Sequence, residues 1–279
     1  MTDSDSDLNL MRSPGTTLTV VGSGGGSASS ERHMPAFLLE SGETRFLLDA
    51  GYGTLHQLLA LGYKTTDLHG ICVTHFHGDH FGDVHHILDT IVRQEGKALR
   101  PRMIIGPMGL DHRLKVLFDI HKYHQGFFPK EIRLIKYAPG GKYAIYSGTS
   151  EEPILVEPFE VNHVRTNSAS FPSLGFVCRA GNKKLVYMGD IGPNQNWDSL
   201  RLTAFEADLL IIEAGASDDS SEKHITAERA VEFSLKCKAK QTVLNHISPD
   251  RVRAVWATIH PLCVDQTVLI AEDEMEIEL

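Results

Sequence analysis

Three histidines and one aspartate lie within six consecutive residues of the segment VTHFHGDHFGD: His75, His77, Asp79 and His80. Imidazole and carboxylate together suit zinc, manganese or iron and need no thiolate. In an irregular loop, His75 and His77 could converge on one metal while Asp79 and His80 reach a second. The segment supplies too few ligands for two metals, so either other residues complete a site or the segment is only a solvated loop.

The cluster begins where GICVTH, a short β-branched run typical of a buried strand, comes to an end. Three other apolar runs also end on metal-type residues: PFEVNH on His163, LVYMGD on Asp190 and TVLNH on His246. A strand end has rigid backbone behind it and open space in front. One histidine after a strand is usually structural, but four such ends are hard to explain without a shared site. We therefore predict a metal site at one edge of the sheets.

The elements that must position this site alternate along the chain. Further strands are expected at TLTVVG, AFLLE, TRFLLDAG, RMIIGP, PILVEPFEV, LGFVCRA and ADLLIIEA, with two short ones in QTVLIAEDEMEIEL. Helices are expected at GTLHQLLALG, DVHHILDTIVRQEG, GLDHRLKVLFDIHKYH and TAERAVEFSLKCKA, the last with Thr226 as its N-cap. This order favours one α/β domain over residues 16–279, in which helices cover sheets on both outer sides, behind a loose tail at 1–15.

The glycine-rich segment GSGGGSASSERHMP lies between the first two predicted strands. It lacks the Lys-Ser/Thr ending and the following helix of a phosphate-binding loop. We expect a strand connection whose glycines supply positive φ.

Composition limits the function classes. The formal net charge of -9 over 279 residues argues against an overall basic footprint for nucleic acid or an anionic membrane. The four cysteines form no C-x-x-C pair, which favours buried free thiols in a reducing compartment. No apolar run is long enough to span a membrane, and the acidic N-terminus does not resemble a secretory signal. A cytoplasmic protein is expected.

The T-H-F-H-G-D-H motif, followed by His163, Asp190 and His246, resembles the metallo-β-lactamase superfamily from about Thr17 to the end of the chain. The resemblance implies a four-layer αββα sandwich with two divalent metals at one edge, expected to be zinc, with manganese or iron(II) as alternatives. It implies that His75, His77 and His163 hold the first metal. Asp79, His80 and His246 would hold the second, with Asp190 as the bridging carboxylate. A hydroxide between the metals would be the nucleophile.

Within that superfamily, residues 209–250 resemble ribonuclease Z and its phosphodiesterase relatives. An E-A motif at Glu213 precedes H-I-T-A, which begins at His224 and opens a helix. The resemblance implies that His224 is a general acid for the leaving oxygen, oriented by Glu213, and that Asp79 joins the catalytic groups as well as the ligands. A carboxylate neighbour would keep the imidazole protonated and aimed.

Ribonuclease Z carries a long arm that grips transfer RNA, inserted between its third and fourth motifs. Here LGFVCRAGNKKLVYMGD runs from one strand to the next through a tight turn. We therefore expect a small phosphodiester substrate, such as a cyclic nucleotide or another cyclic phosphate. Transfer-RNA 3′ processing, another ester, lactone or sulfate hydrolase, and an iron-dependent persulfide dioxygenase remain alternatives. The segment DIHKYHQGFFPKE could wall the substrate pocket or be an exposed helix end, and a homodimer is possible.

Overall fold

The computed structural model describes residues 15–121, 130–148, 153–163, 172–263 and 267–279. Apart from Gly15, the predicted N-terminal tail lies outside these residues. So do residues 122–129 of the segment proposed to wall the pocket.

Two seven-stranded sheets form the centre of the fold. The first contains β1 (Thr16–Gly22), β2 (Ala36–Ser41), β3 (Thr44–Leu48), β4 (Gly70–Cys72), β5 (Arg102–Gly106), β6 (Ile132–Lys136) and β14 (Glu276–Glu278), in the order β14-β1-β2-β3-β4-β5-β6. The second contains β7 (Tyr143–Ile145), β8 (Ile154–Val161), β9 (Ser173–Ala180), β10 (Lys183–Tyr187), β11 (Leu209–Glu213), β12 (Gln241–Asn245) and β13 (Thr267–Ile270), in the order β13-β12-β11-β10-β9-β8-β7. Both sheets are mixed, with runs of parallel strands from β3 to β6 and from β10 to β13.

Helices cover the two outer faces. Along the chain, the strands of the first sheet alternate with α1 (Thr54–Ala60), α2 (Gly78–Phe81), α3 (Val84–Glu95) and α4 (Leu110–Ile120). Those of the second sheet alternate with α5 (Trp197–Ala204), α6 (Ala227–Cys237) and α7 (Val252–Ile259). One apolar cluster lies between the sheets, and one lies under the helices on each side. The predicted αββα sandwich is therefore confirmed. The central cluster takes residues from both sheets, which supports the proposal of a single domain.

Two local predictions need comment. The Thr226 side chain accepts a hydrogen bond from the Arg229 N–H, so the predicted N-cap of α6 is confirmed. The segment after β4 is not wholly irregular, however, because Asp79 and His80 lie in the one-turn helix α2. Among the thiols, Cys72, Cys178 and Cys237 are buried as expected, whereas Cys263 is half-buried.

The sheet topology brings the predicted strand ends to one place. The strands β10, β11 and β12 are parallel, so their carboxyl ends share one edge. β8 pairs antiparallel with β9 and β9 antiparallel with β10, so β8 points the same way as β10. In the first sheet, β3 and β4 also run parallel to each other.

Candidate metal centre

All seven predicted ligands lie together. Their ligand atoms form two overlapping groups of four, and within each group the atoms lie within 4.8 Å of one another. The first group is His75, His77, His163 and Asp190, and the second is Asp79, His80, Asp190 and His246. Asp190 is the residue common to both groups, and it is the residue that the family resemblance implies as a bridging carboxylate.

Hydrogen bonds that Nδ1 donates orient three of the imidazoles. His163 Nδ1 donates to the Lys223 carbonyl at 2.8 Å, and His80 Nδ1 donates to Asp49 Oδ2 at 2.7 Å. The Thr74 hydroxyl donates to Asp49, which leaves its oxygen to accept from His75 Nδ1 at 3.0 Å. A ring that donates through Nδ1 in its neutral form carries a lone pair on Nε2, the form that binds metal.

These same Nε2 atoms show that the residues fit metal ions. In His75, His80 and His163, Nε2 is buried and makes no hydrogen bond to the described residues, although it lies 3.2–4.0 Å from an oxygen of Asp190. A buried polar atom without a partner is costly and calls for an explanation such as an ion. Nitrogen and carboxylate donors in this number suit divalent zinc, manganese or iron.

The charges of the site also suit cations. Burial raises the pKa of Asp190, but His246 and His80 outweigh burial and hold it well below its usual value. Hydrogen bonds from the same two histidines likewise depress the pKa of Asp79. Burial lowers the pKa of His163 to about 4. Burial would lower the pKa of His80 and of His246, but the charge of Asp190 outweighs burial and raises both. Because a metal binds ionised carboxylates and neutral imidazoles, a cation in the second group would displace the protons of these two rings.

Asp49 is a supporting residue that the sequence analysis did not single out. Its fully buried carboxylate accepts hydrogen bonds from the Thr74 N–H, the Thr74 hydroxyl, His80 Nδ1 and the Tyr187 hydroxyl, each at 2.7 Å. It has φ of 61°, a left-handed conformation that is uncommon outside glycine. A usable signal existed, since Asp49 directly follows β3, just as His246 directly follows β12.

Glu213 and His224 lie against the metal-type groups. Glu213 ends β11 and is fully buried, and its Oε1 lies 2.9 Å from His224 Nδ1. Both carboxylate oxygens also accept backbone N–H groups, from Ile191 at 3.0 Å and Gly215 at 2.8 Å. Glu213, His224 and His246 themselves form a third set of close ligand-type atoms. Because three donors already occupy the Glu213 carboxylate, orientation of His224 suits it better than metal binding.

The glycine-rich connection between β1 and β2 borders the centre. A Cβ on Gly26 would lie 3.2 Å from Asp79 Oδ2, and one on Gly25 would lie 3.3 Å from the His246 carbonyl. The expectation of positive φ was wrong, because no glycine of this connection has one. Its glycines are required by close approach: a Cβ on Gly22 would lie 1.9 Å from the Met34 carbonyl.

The Asp273 carboxylate forms hydrogen bonds with residues at both ends of this connection. Oδ1 accepts from the Ser23 N–H at 2.9 Å and from its hydroxyl at 2.6 Å. Oδ2 accepts from the His33 N–H and lies 2.7 Å from His33 Nδ1. Asp273 lies between β13 and β14, far along the chain, and nothing in its local sequence marks this role.

Of the histidines proposed to wall the pocket, only His121 lies in the described part of the chain. Its ring stacks on that of His85 with centroids 5.0 Å apart.

Within the described part of the chain, none of the helices is both long and apolar enough to cross a membrane.

Comparison with known proteins agrees with this geometry. The family model described as "Beta-lactamase superfamily domain" matches residues 44–247. A ribonuclease Z of Alkaliphilus oremlandii is 26% identical over 292 aligned positions, covering 83% of this chain and 88% of the relative. Human tRNase Z, short form, is 28% identical, with a TM-score of 0.73 over 94% of this chain and 98% of that one. The metallo-β-lactamase fold protein YhfI from Bacillus subtilis has a TM-score of 0.75 at 21% identity, over 96% and 100% of the two chains.

Proposed function

Since the chain belongs to the β-lactamase superfamily and is a metallo-hydrolase related to ribonuclease Z, we propose that it hydrolyses a small phosphodiester, such as a cyclic nucleotide or another cyclic phosphate. The observation that carries the proposal is the placement of the Glu213–His224 pair beside Asp190. His224 Nδ1 lies 3.9 Å from Asp190 Oδ2, at the carboxylate common to both groups of ligand-type side chains.

Seven side chains would hold two divalent cations: His75, His77 and His163 for the first, Asp79, His80 and His246 for the second, and Asp190 for both. Zinc is the proposed metal. When bound, two such cations supply a nucleophile from water at neutral pH and neutralise charge on the reacting phosphate. His77 is the exposed member of the ligand set, so this side of the centre faces solvent and a substrate.

The chain itself supplies the proton for the leaving oxygen. With Nδ1 engaged by Glu213, His224 has Nε2 left to face a substrate, and its side chain is 24% exposed. An alkoxide is a poor leaving group at neutral pH, so a positioned acid accelerates its departure. Two backbone N–H donors fix Glu213, which therefore holds the imidazole in one orientation.

The short turn between β9 and β10 favours a small substrate over transfer RNA. These strands join through a two-residue turn after Ala180, which leaves no room there for an inserted arm. The alignment with the Alkaliphilus oremlandii enzyme is longer than this whole chain yet covers 83% of it, so the relative carries inserted residues that this chain lacks. The net charge of -9 also disfavours a polyanionic partner.

Transfer-RNA 3′ processing is the second candidate, and the similarity to ribonuclease Z favours it. A substrate panel on metal-loaded protein would decide. It would measure kcat/KM for bis-p-nitrophenyl phosphate, 2′,3′- and 3′,5′-cyclic nucleotides, a precursor transfer RNA and a lactone. We expect the highest values for small diesters, and loss of that activity in His77→Ala but not in the exposed control His56→Ala. A clear preference for the precursor would establish the second candidate, and lactone turnover without diester turnover would contradict both.

A further inference from the structure

A cavity of about 220 Å³ lies at the opposite end of the first sheet from the metal centre. The metal-type residues follow the carboxyl ends of their strands, whereas this cavity is bordered by His69, which precedes β4, and by Arg102, which begins β5. It continues to the end of β7 in the second sheet.

The lining is strongly basic for a protein of net charge -9. Arg100, Arg102 and Arg133 all border the cavity, and its described lining includes no acidic side chain. Glu95, outside the lining, forms ion pairs with Arg100 at 3.2 Å and with Arg102 at 2.6 Å. Among the described residues no carboxylate pairs with Arg133. Arg133 is an exposed residue of β6, so its charge is solvated and is available to pair with an anion that enters the cavity.

Arg102 is a buried guanidinium beside the cavity. Its residue is only 3% exposed, and its Nη atoms donate to the Arg100 carbonyl and to the Thr66 carbonyl, both at 2.9 Å. Its Nε is buried and finds no acceptor in the described structure. Because this Nε is enclosed, Arg102 acts on the cavity through its positive charge and not through a donor that an anion could reach.

His69 adds a neutral donor. Its Nδ1 accepts a hydrogen bond from the Arg45 N–H at 3.1 Å, so Nδ1 carries no proton. Burial, and then the charge of Arg102, lower the pKa of His69. The ring is therefore neutral at pH 7, with its proton on Nε2 as the remaining donor.

We propose that this cavity binds a phosphate-sized oxyanion, either free phosphate or the head group of a small phosphomonoester. Guanidinium groups match tetrahedral oxyanions through paired N–H donors. At about 220 Å³, the cavity is smaller than the roughly 300–1,000 Å³ of pockets that enclose a larger ligand. Its position at the far end of the strands separates it from the metal centre, so the proposal does not depend on the hydrolytic function.

The test is calorimetric titration of the metal-loaded, full-length protein with inorganic phosphate and with glycerol 3-phosphate, at constant ionic strength. Arg133→Gln removes the charge available to pair with the anion. His69→Asn keeps an acceptor for the Arg45 N–H and removes the Nε2 donor. Arg179→Gln removes an equal charge at the one exposed residue of β9 and serves as the control. Thermal unfolding establishes that each variant is folded.

We expect wild type and Arg179→Gln to bind equally, and Arg133→Gln to bind about tenfold or more weakly, as the loss of a charged hydrogen bond implies. His69→Asn should weaken binding less. Tighter binding of the monoester would assign the cavity to a head group, and equal binding would assign it to free phosphate. Unchanged affinity and stoichiometry in both Arg133→Gln and His69→Asn would place all bound phosphate at the metal centre and overturn the proposal. Absence of binding to wild type would overturn it equally.

Discussion

Glu213 Oε1 lies 2.9 Å from His224 Nδ1, and the same oxygen accepts the N–H of Ile191, the residue after Asp190, at 3.0 Å. One buried carboxylate thus ties the proposed acid to the backbone that carries the proposed bridging ligand. The two groups cannot move independently without breaking one of these hydrogen bonds. This coupling distinguishes a positioned acid from a histidine that merely lies near the centre.

His224→Ala should therefore retain metal and lose proton donation. We expect hydrolysis of diesters with alkoxide leaving groups to slow by roughly 10²–10⁴. Diesters of p-nitrophenol should slow much less, because p-nitrophenolate can leave without a proton. The measurement is kcat for both substrate classes, together with metal content by atomic absorption.

Glu213→Gln gives an intermediate test, because it keeps the shape of the side chain but weakens its hold on the His224 imidazole. We expect the same dependence on the leaving group with a smaller loss. Equal losses on both substrates, or loss of a metal from His224→Ala, would remove His224 from the role of acid.

Asp49→Asn should weaken metal binding from a position that touches no metal. Its carboxylate fixes His80 directly and His75 through the Thr74 hydroxyl. Loss of such an outer partner typically costs about 10–100-fold in metal affinity. Competition with a chromophoric chelator would measure this loss, with the exposed Asp250→Asn as the control. Tyr187→Phe removes only one of the four donors and should have a smaller effect. An unchanged dissociation constant in Asp49→Asn would contradict the assigned role.

The proposed ligands were readable from the sequence because a histidine or aspartate lies within three residues of the end of each of the strands β4, β8, β10 and β12. The strand directions bring these ends to one place. The partners of those ligands were less readable. Lys223 accepts the hydrogen bond of His163 through its backbone carbonyl. Every residue has such a carbonyl, so the identity of residue 223 does not reveal the contact. Asp273 acts across 250 residues of chain on Ser23, so only the tertiary fold reveals it. Asp49, by contrast, directly follows a strand, so its position could have been predicted in the same way as the ligands.

The missed elements are short ones. α5 and α7 have 8 residues each, about two turns of helix, and Asn196 caps α5 by accepting from the Ser199 N–H. β7 has 3 residues. β6, which has 5, lies at the edge of its sheet and alternates only weakly between buried and exposed side chains. Such elements form because the rest of the fold offers them a surface, and a local pattern predicts them poorly.

Asp273→Ala should loosen the connection between β1 and β2 while leaving both sheets in place. The change removes the acceptors for Ser23 and His33, whereas the strands keep their own ladders. Because Gly25 and Gly26 abut His246 and Asp79, we expect faster amide hydrogen exchange at 23–33 and a lower kcat for the diester. Asp273→Asn keeps one oxygen acceptor and should restore part of the activity. Unchanged exchange in Asp273→Ala would show that other contacts hold this connection.

His77→Ala tests the metal centre with the least disturbance of the fold. His77 is the exposed member of the ligand set, so its removal leaves no buried cavity, and a surface change usually alters stability by less than about 0.5 kcal/mol. We expect wild type to keep two metals per chain after dialysis against a weak chelator. The variant should keep fewer metals, because its first group loses an imidazole while the second stays complete.

The variant should also lose most of the diester hydrolysis of wild type. The circular dichroism spectrum and the melting temperature of the metal-free variant should match those of metal-free wild type. His56→Ala, an exposed histidine on α1, should retain both metals and full activity. Full metal content and activity in His77→Ala would show that the first group does not bind a metal. The site beside Glu213 and His224 would then not be the proposed two-metal centre.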